Sequence, residues 1–235
     1  MIKSIRDLFR RKPTASPGLP TAPQSPSSII APRPAVTWLS ADDPKNPFRV
    51  DGYDCLAFVS GMISTTTEQS VARSFGALRS SSGRDHVGNL PPEPTALPCH
   101  LQYPFDGKIA DGALFKAQQM EEKWDIYLYE GLLYFARSWT GSLVYVARST
   151  TAAAGFVIDR VSVPREQTAQ SDEYPVRQVD YLVKSHVLKR HYPHPLPPGL
   201  KQDPETVGFF SFSQFGRVCC FATFQDTLRD DILKP

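Results

Sequence analysis

The sequence predicts an α+β domain, an antiparallel sheet with about three helices packed on one face, preceded by a disordered proline-rich arm. Residues 123–148 hold three aromatic and β-branched runs separated by Glu130-Gly131 and Thr140-Gly141, the pattern of an antiparallel meander. Apolar residues recur at helical spacing over 66–80, 176–189 and 204–215, which predicts three amphipathic helices. Seven prolines between residues 13 and 34 favour an extended arm.

The N-terminal arm has two predicted parts, a basic amphipathic segment over 1–12 and a disordered linker over 13–36, followed by one domain over 37–235. Residues 1–12 carry five basic residues and one acidic residue, a net charge of +4, which leaves −2 for the remaining 223 residues. Residues 1–12 have three interpretations: a helix that binds a membrane surface or a partner, a frayed terminus, or part of a transit peptide.

Composition excludes several classes of protein. No apolar stretch reaches the length of a membrane span, and the N-terminus has no apolar core of a secretory signal. The four cysteines, Cys55, Cys99, Cys219 and Cys220, form no Cys-x-x-Cys pattern, so we expect reduced thiols and a cytoplasmic protein, or one peripheral to a membrane through residues 1–12. The nearly neutral domain predicts no general nucleic-acid binding, and no motif indicates a cofactor.

The remaining elements are predicted from shorter patterns. The run 54–59 indicates a strand, and Thr65 and Glu68 have the spacing of a capping box before the helix over 66–80. Residues 80–98 indicate a long polar loop. Further strands are expected over 156–163 and 218–224, and Asp203 and Gly216 are expected to cap the helix over 204–215.

Two-residue turns fix the register of the meander. Ile126 then faces Phe135, and Trp124 faces Arg137; across the second hairpin Phe135 faces Val146, and Arg137 faces Val144. The face predicted to join the core holds Ile126, Leu128, Leu133, Phe135 and Val146. The opposite face, predicted to be half exposed unless a helix covers it, holds Tyr127, Tyr129, Tyr134, Ala136 and Tyr145.

Arg137 is the strongest indication of a site, because this register places a guanidinium on an apolar face. We expect it to reach solvent at the strand end, to pair with a carboxylate, or to bind an anionic ligand. Trp124 and Trp139 are expected to flank it, Trp124 by cation–π stacking. The candidate binding residues are therefore Trp124, Arg137, Trp139, Tyr127, Tyr134 and Tyr145.

The histidines offer a second candidate site. His186, His191 and His194 bridge a helix end and a proline-rich loop, and such a group can converge on zinc. No His-x-x-x-His pattern lies within one helix, however, and surface histidines beside a helix C-terminus explain the same spacing without a metal. We therefore predict no metal site here.

A short motif supplies an enzymatic alternative. Lys123-Trp124-Asp125-Ile126 resembles the Lys-x-Asp-Gly motif of nucleotidyltransferases of the polynucleotide-ligase type, with Arg137, Ser138 and Gly141 where that family has a Ser/Arg/Gly cluster. The resemblance implies that Lys123 accepts a nucleotide covalently at a sheet edge. Ile126 replaces the glycine of the motif, and no Lys-x-Lys follows. A buried Lys123 with a depressed pKa beside Asp125 would favour an enzyme.

The sequence therefore predicts a non-enzymatic module that binds a protein partner through exposed aromatic residues. The alternative is an enzyme of unknown class that uses Lys123, Asp125 and Arg137, or a metal held by the histidines.

Overall fold

The computed structural model describes residues 35–104, 109–152, 155–169 and 171–234. These belong to one compact unit, Arg33–Pro235. The predicted basic segment and nearly all of the predicted linker lie outside the described residues. The strands are β1 (Thr37–Leu39), β2 (Gly52–Asp54), β3 (Pro94–Tyr103), β4 (Gly112–Phe115), β5 (Trp124–Tyr129), β6 (Leu132–Arg137), β7 (Leu143–Ala152), β8 (Gly155–Pro164), β9 (Pro193–Pro195) and β10 (Phe221–Thr223). The helices are α1 (Leu56–Ser60), α2 (Gln69–Ser80), α3 (Arg165–Thr168), α4 (Glu173–Leu182) and α5 (Pro204–Phe215).

The α+β class is confirmed. A six-stranded antiparallel sheet has the order β3-β8-β7-β6-β5-β4, and a four-stranded sheet has the order β1-β2-β10-β9. The predicted meander is β5, β6 and β7 at the centre of the larger sheet. The smaller sheet was not predicted, because its strands have only three residues each, too few for an alternating pattern to show.

The first hairpin has the predicted register, with Trp124 opposite Arg137 and Ile126 opposite Phe135. The second does not: Phe135 lies opposite Tyr145, and a bulge separates the Phe135 and Ala136 pairs. The predicted pairs of Phe135 with Val146 and of Arg137 with Val144 are therefore wrong. A shift of one residue exchanges the two faces of a strand. Tyr145 accordingly joins the main core, and Val146 packs with the tyrosines of the opposite face.

The tyrosines of the face predicted to be half exposed are all buried, so that prediction is wrong. Tyr127, Tyr134 and Tyr145 are each 1% exposed. The segment after α2 covers Tyr127 and Tyr129, since the Tyr129 hydroxyl donates to the Ser82 carbonyl at 2.7 Å and a Cβ added to Gly83 would lie 2.3 Å from the Tyr127 ring. Helix α2 therefore packs on the opposite face from α4 and α5, and the prediction that all three helices share one face is also wrong.

The outcomes for the other elements follow from local hydrogen bonds. Helix α5 has the predicted bounds, the Asp203 carboxylate accepts from the Thr206 N–H at 3.0 Å, and Gly216 follows its end. The predicted strand over 54–59 is instead β2 followed by α1, because the Asp54 carboxylate accepts from the Leu56 N–H at 2.9 Å and begins a helical turn. A short apolar run fits a buried strand or a buried helix equally well.

Three further boundaries differ from the prediction. The helix predicted over 176–189 consists of α4, which ends at Leu182, and a following π-helix over Val183–Val187. Strand β10 has only three residues, because a 3-10 helix occupies Gly216–Val218. Helix α2 starts at Gln69, the side chain of its N-cap residue Glu68 makes no capping bond, and the Glu68 N–H donates to Thr66 rather than to Thr65, so the predicted capping box does not form.

Candidate functional site

The candidate site lies where the first hairpin of the meander meets the end of α5. Trp124 begins β5, and Arg137 ends β6 directly opposite it. The Trp124 indole N–H donates to the Gln214 carbonyl at 2.6 Å, which attaches the last turn of α5 to the hairpin. The sheet thus places the end of a helix, where carbonyl oxygens lack partners within the helix, beside the cation of Arg137.

Arg137 binds this helix end. Its guanidinium donates to the carbonyls of Ser213 at 2.8 Å and Gln214 at 3.1 Å, an arrangement that the helix dipole favours. It also lies over the Trp124 ring, 4.8 Å from the centroid, so the predicted cation–π stacking is confirmed. Burial lowers the pKa of Arg137 to about 10. The described residues supply no carboxylate partner to Arg137, and two of its five N–H groups bind the helix.

Lys123 is a second buried cation next to this site. Its side chain is buried between the rings of Trp139 and Phe212, whose centroids lie 4.4 and 4.8 Å from Nζ. The ammonium group donates to the Ser64 hydroxyl at 2.6 Å and to the Met120 carbonyl at 2.8 Å. Burial lowers the pKa of Lys123 to about 8, and the nearby charge of Arg137 lowers it further than the attraction of Glu121 raises it.

Lys123 and Arg137 line one groove of about 540 Å³, which we call the cation groove. Its walls are Ile63, Ser64, Thr65, Lys123, Arg137, Trp139, Thr140, Phe212 and Ser213. No carboxylate belongs to this wall. On the other side of Arg137 lies a cleft of about 550 Å³, which we call the Tyr145 cleft. Its lining includes Trp124, Tyr145, Gln178 and Glu166.

The structure divides the predicted binding residues into two groups. Trp124, Arg137, Trp139 and Tyr145 line the cation groove or the Tyr145 cleft. Trp139 stacks on Lys123 rather than on Arg137. Tyr127 and Tyr134 belong to the separate cluster under α2, so they have no part in either cavity.

Asp125 lies away from Lys123 and has a partner of its own. Its carboxylate is 2% exposed and accepts from the Arg79 guanidinium at 2.7 and 3.0 Å and from the Ala117 N–H at 2.9 Å. Asp125 points toward α2 and its Arg79, whereas the Lys123 ammonium donates to Ser64 and Met120. Lys123 is thus buried with a depressed pKa, as the enzymatic alternative requires, but Asp125 does not accompany it.

The histidines do not converge. Among residues 35–104, 109–152, 155–169 and 171–234, no group of three His, Cys, Asp or Glu residues is arranged to hold a metal ion. His186 and His194 are fully buried, while His191 is exposed. The prediction that they are surface residues at a helix end is therefore wrong for His186 and His194. Each is held by a hydroxyl: His186 Nδ1 lies 2.8 Å from Ser185 Oγ, and His194 Nε2 lies 2.8 Å from Ser211 Oγ.

Several residues of the site were not predicted. Ile63 and Ser64 come from the segment after α1, and Ser64 precedes Lys123 by 59 residues. Phe212 and Ser213 come from α5. Helix α5 itself was predicted, and its end requires partners for its carbonyls. A donor was therefore needed there, although nothing in the sequence identified Arg137 as that donor.

Gly216 sets the position of the segment before Lys123. A Cβ at this residue would lie 1.6 Å from the Glu121 carbonyl oxygen, and its φ of +65° is unfavourable for other residues. We expect Gly216→Ala to lower the free energy of unfolding by about 3 kcal/mol or more, because backbone strain and overpacking both contribute. Gly88→Ala is the matched control, since Gly88 has a φ of +80° with no atom within 4 Å. If Gly216→Ala and Gly88→Ala lower the free energy of unfolding in urea equally, the close approach of the backbone at Gly216 is contradicted.

The depressed pKa of Lys123 predicts a pH-dependent stability. The unfolded chain binds this proton up to a pH of about 10.4 and the folded chain only to about 8, so the free energy of unfolding rises between these values. In Lys123→Met this contribution is absent. We expect the stability difference between the wild type and Lys123→Met to move in favour of the wild type by about 3 kcal/mol from pH 7.5 to 10.5. If urea unfolding gives the same difference in the free energy of unfolding between the two proteins at both pH values, the burial of the Lys123 amine is contradicted.

Comparisons with protein-family models, with curated proteins and with solved structures found no significant match. The resemblance to the nucleotidyltransferase motif therefore has no support beyond the residues themselves. Within the described ranges, no helix has the length and apolar character needed to cross a membrane.

Proposed function

We propose that the protein is a binding module that captures an anionic group of a partner protein in the cation groove. One observation carries the proposal: Lys123 and Arg137 line the same groove, Lys123 is buried and Arg137 is half-buried, and neither forms an ion pair with a carboxylate of the described residues. Glu121 attracts Lys123 without forming an ion pair with it, and a buried charge that is incompletely neutralised is costly. An anion bound between the two would offset their mutual repulsion, which adds to the effect of burial in lowering the pKa of Lys123.

The groove also favours a particular neighbour for the anion. Trp139 and Phe212 form aromatic walls around the Lys123 amine, and Ile63 at the rim is 69% exposed. The partner group that fits this surface is a carboxylate or phosphate on a side chain with an aromatic or apolar part. The guanidinium of Arg137 has further N–H groups, which can donate two parallel hydrogen bonds to a pair of oxygens of either anion.

A protein partner fits the charge distribution better than a nucleic acid. Nucleic-acid binding relies on many phosphate contacts along a basic stripe. Residues 13–235 carry a net charge of −2, and the cation groove contributes two positive charges. A short acidic or phosphorylated segment of a protein needs no more than these two.

The proposal can be tested with phenyl phosphate as the probe on the full-length protein labelled with nitrogen-15. The chain has three tryptophans, of which Trp124 and Trp139 flank the two cations and Trp38 lies on β1 in the smaller sheet. We expect phenyl phosphate to shift the indole N–H signals of Trp124 and Trp139 and to leave that of Trp38 unchanged. Phenol, which lacks the charge, is the matched control.

Substitution of the cations completes the test. Lys123→Met preserves the length and apolar contacts of the side chain and removes its charge, so we expect it to weaken phenyl phosphate binding. Lys201→Met removes a lysine whose side chain is 80% exposed and is expected to bind as the wild type does. Equal shifts with phenol and phenyl phosphate, or equal shifts of all three indoles, would contradict the proposal.

A further inference from the structure

We propose that Lys123 forms an imine with a carbonyl compound that carries an anionic group, so that the cation groove captures this ligand covalently and reversibly. The inference rests on the proposed function, because the anionic group is the part that Arg137 would hold. The geometry that carries it is a lysine amine enclosed by two aromatic rings, without a carboxylate partner, beside a second cation and on the wall of an open groove.

The surroundings of the amine distinguish it from a lysine that only stabilises the fold. Lys184 shows the contrast: its ammonium lies 2.8 Å from the Asp180 carboxylate, which raises the pKa of Lys184 despite burial. Lys123 has neutral oxygen acceptors instead, the Ser64 hydroxyl and the Met120 carbonyl. Apolar burial beside another cation is the arrangement that activates a lysine as a nucleophile.

The chemistry balances without a further reactant. The lone pair of the neutral Nζ attacks the carbonyl carbon, the C=O π electrons move to oxygen, and one proton passes from nitrogen to that oxygen to give a carbinolamine. A second proton passes from nitrogen to the hydroxyl, the C–O bond breaks as water leaves, and a C=N bond remains. The Ser64 hydroxyl, 2.6 Å from Nζ, is placed to relay this proton. With a pKa of about 8, about a fifth of the amine is neutral at pH 7.4, compared with about a thousandth for an ordinary lysine.

The test uses the full-length protein with glyoxylate, which is an anionic aldehyde, and sodium cyanoborohydride, which reduces the imine to a stable secondary amine. Peptide mass spectrometry then reports the rate at each lysine. We expect Lys123 to be modified at least tenfold faster than Lys201, because far more of its amine is neutral, although Lys201 is much more exposed. Accessibility alone predicts the opposite order.

Two controls test the role of the anion without relying on a variant that folds poorly. Glycolaldehyde, a neutral aldehyde of similar size, is expected to modify Lys123 more slowly than glyoxylate does, so that its preference for Lys123 over Lys201 is smaller. Inorganic phosphate, which competes for Arg137, is expected to slow modification of Lys123 and leave Lys201 unaffected. Arg137→Gln should remove the preference for glyoxylate over glycolaldehyde in the same way.

The possible failures are distinguishable. If phenyl phosphate shifts the indole signals while Lys123 is modified no faster than Lys201, the imine is excluded and the anion-binding function stands. If Lys123 reacts equally fast with both aldehydes and phosphate has no effect, the recognition of an anion is wrong, and with it the class of ligand proposed here.

Discussion

Acidification is expected to unfold this domain through two buried histidines. His186 and His194 are fully buried, and burial lowers the pKa of each to about 3. Between pH 6.5 and this value the unfolded chain binds the protons and the folded chain does not, so the free energy of unfolding falls as the pH falls. For two such residues we expect a loss of about 4 to 5 kcal/mol between pH 6.5 and 4.5.

The surroundings of the two histidines explain why they remain neutral. His186 packs edge-on to Phe115, with ring centroids 4.7 Å apart, and His194 packs against Phe215 at 4.8 Å. Tyr181 lies between 5 and 7 Å from both rings. The positive charge of Lys189 further lowers the pKa of His186. The described residues place no carboxylate where it would stabilise either imidazolium.

The measurement is the free energy of unfolding in urea as a function of pH. The double variant His186→Gln, His194→Gln is expected to lose most of the slope between pH 6.5 and 4.5, whatever its stability at neutral pH. His191→Gln is the matched control, since His191 is exposed, and should keep the slope of the wild type. A double variant with an unchanged slope would show that other groups cause the acid sensitivity.

Asp125→Ala is expected to cost about 3 to 5 kcal/mol, because it leaves the Arg79 cation without its partner in a largely buried position. Asp125 connects three elements: Arg79 of α2, the Ala117 N–H after β4, and its own strand β5. Arg79 also donates to the carbonyls of Ala117 and Ser138. Loss of the carboxylate therefore weakens the attachment of α2 to the sheet and exposes the tyrosine cluster beneath it.

A second ion pair supplies the control. Arg148 and Asp159 form the same two-bond geometry, with both distances 2.7 Å, but on the exposed surface. We expect Asp159→Ala to leave the urea midpoint close to that of the wild type, since exposed pairs contribute little. Similar losses for Asp125→Ala and Asp159→Ala would mean that burial is not what makes the Arg79–Asp125 pair important.

The central part of the fold could be predicted because its signals are local. The hairpin of β5 and β6 has a two-residue turn and alternating residues, and α5 has a cap, a first-turn proline and a terminal glycine. The second hairpin was misregistered by one residue because the bulge between Phe135 and Ala136 has no distinctive residue in the sequence. This shift of one residue in register determines whether Tyr145 faces the main core or the tyrosine cluster.

The site could be predicted only in part, for a related reason. Arg137 and Trp124 were identified as a pair because the register brings them together. Their third partner, the end of α5, depends on how a helix almost 80 residues away packs on the sheet. The tyrosines were expected to be exposed because nothing local shows that α2 returns to cover them, and long-range packing of this kind leaves no periodic pattern in the sequence.

The most direct test of the central claim is a crystal of the full-length protein soaked in selenate, whose selenium gives an anomalous signal. We expect an anomalous peak in the cation groove, within hydrogen-bonding distance of the Arg137 guanidinium and the Lys123 ammonium. This peak should disappear in crystals of Lys123→Met. Selenate bound at other basic residues with the cation groove empty would contradict the account of Lys123 and Arg137 as an anion-binding pair.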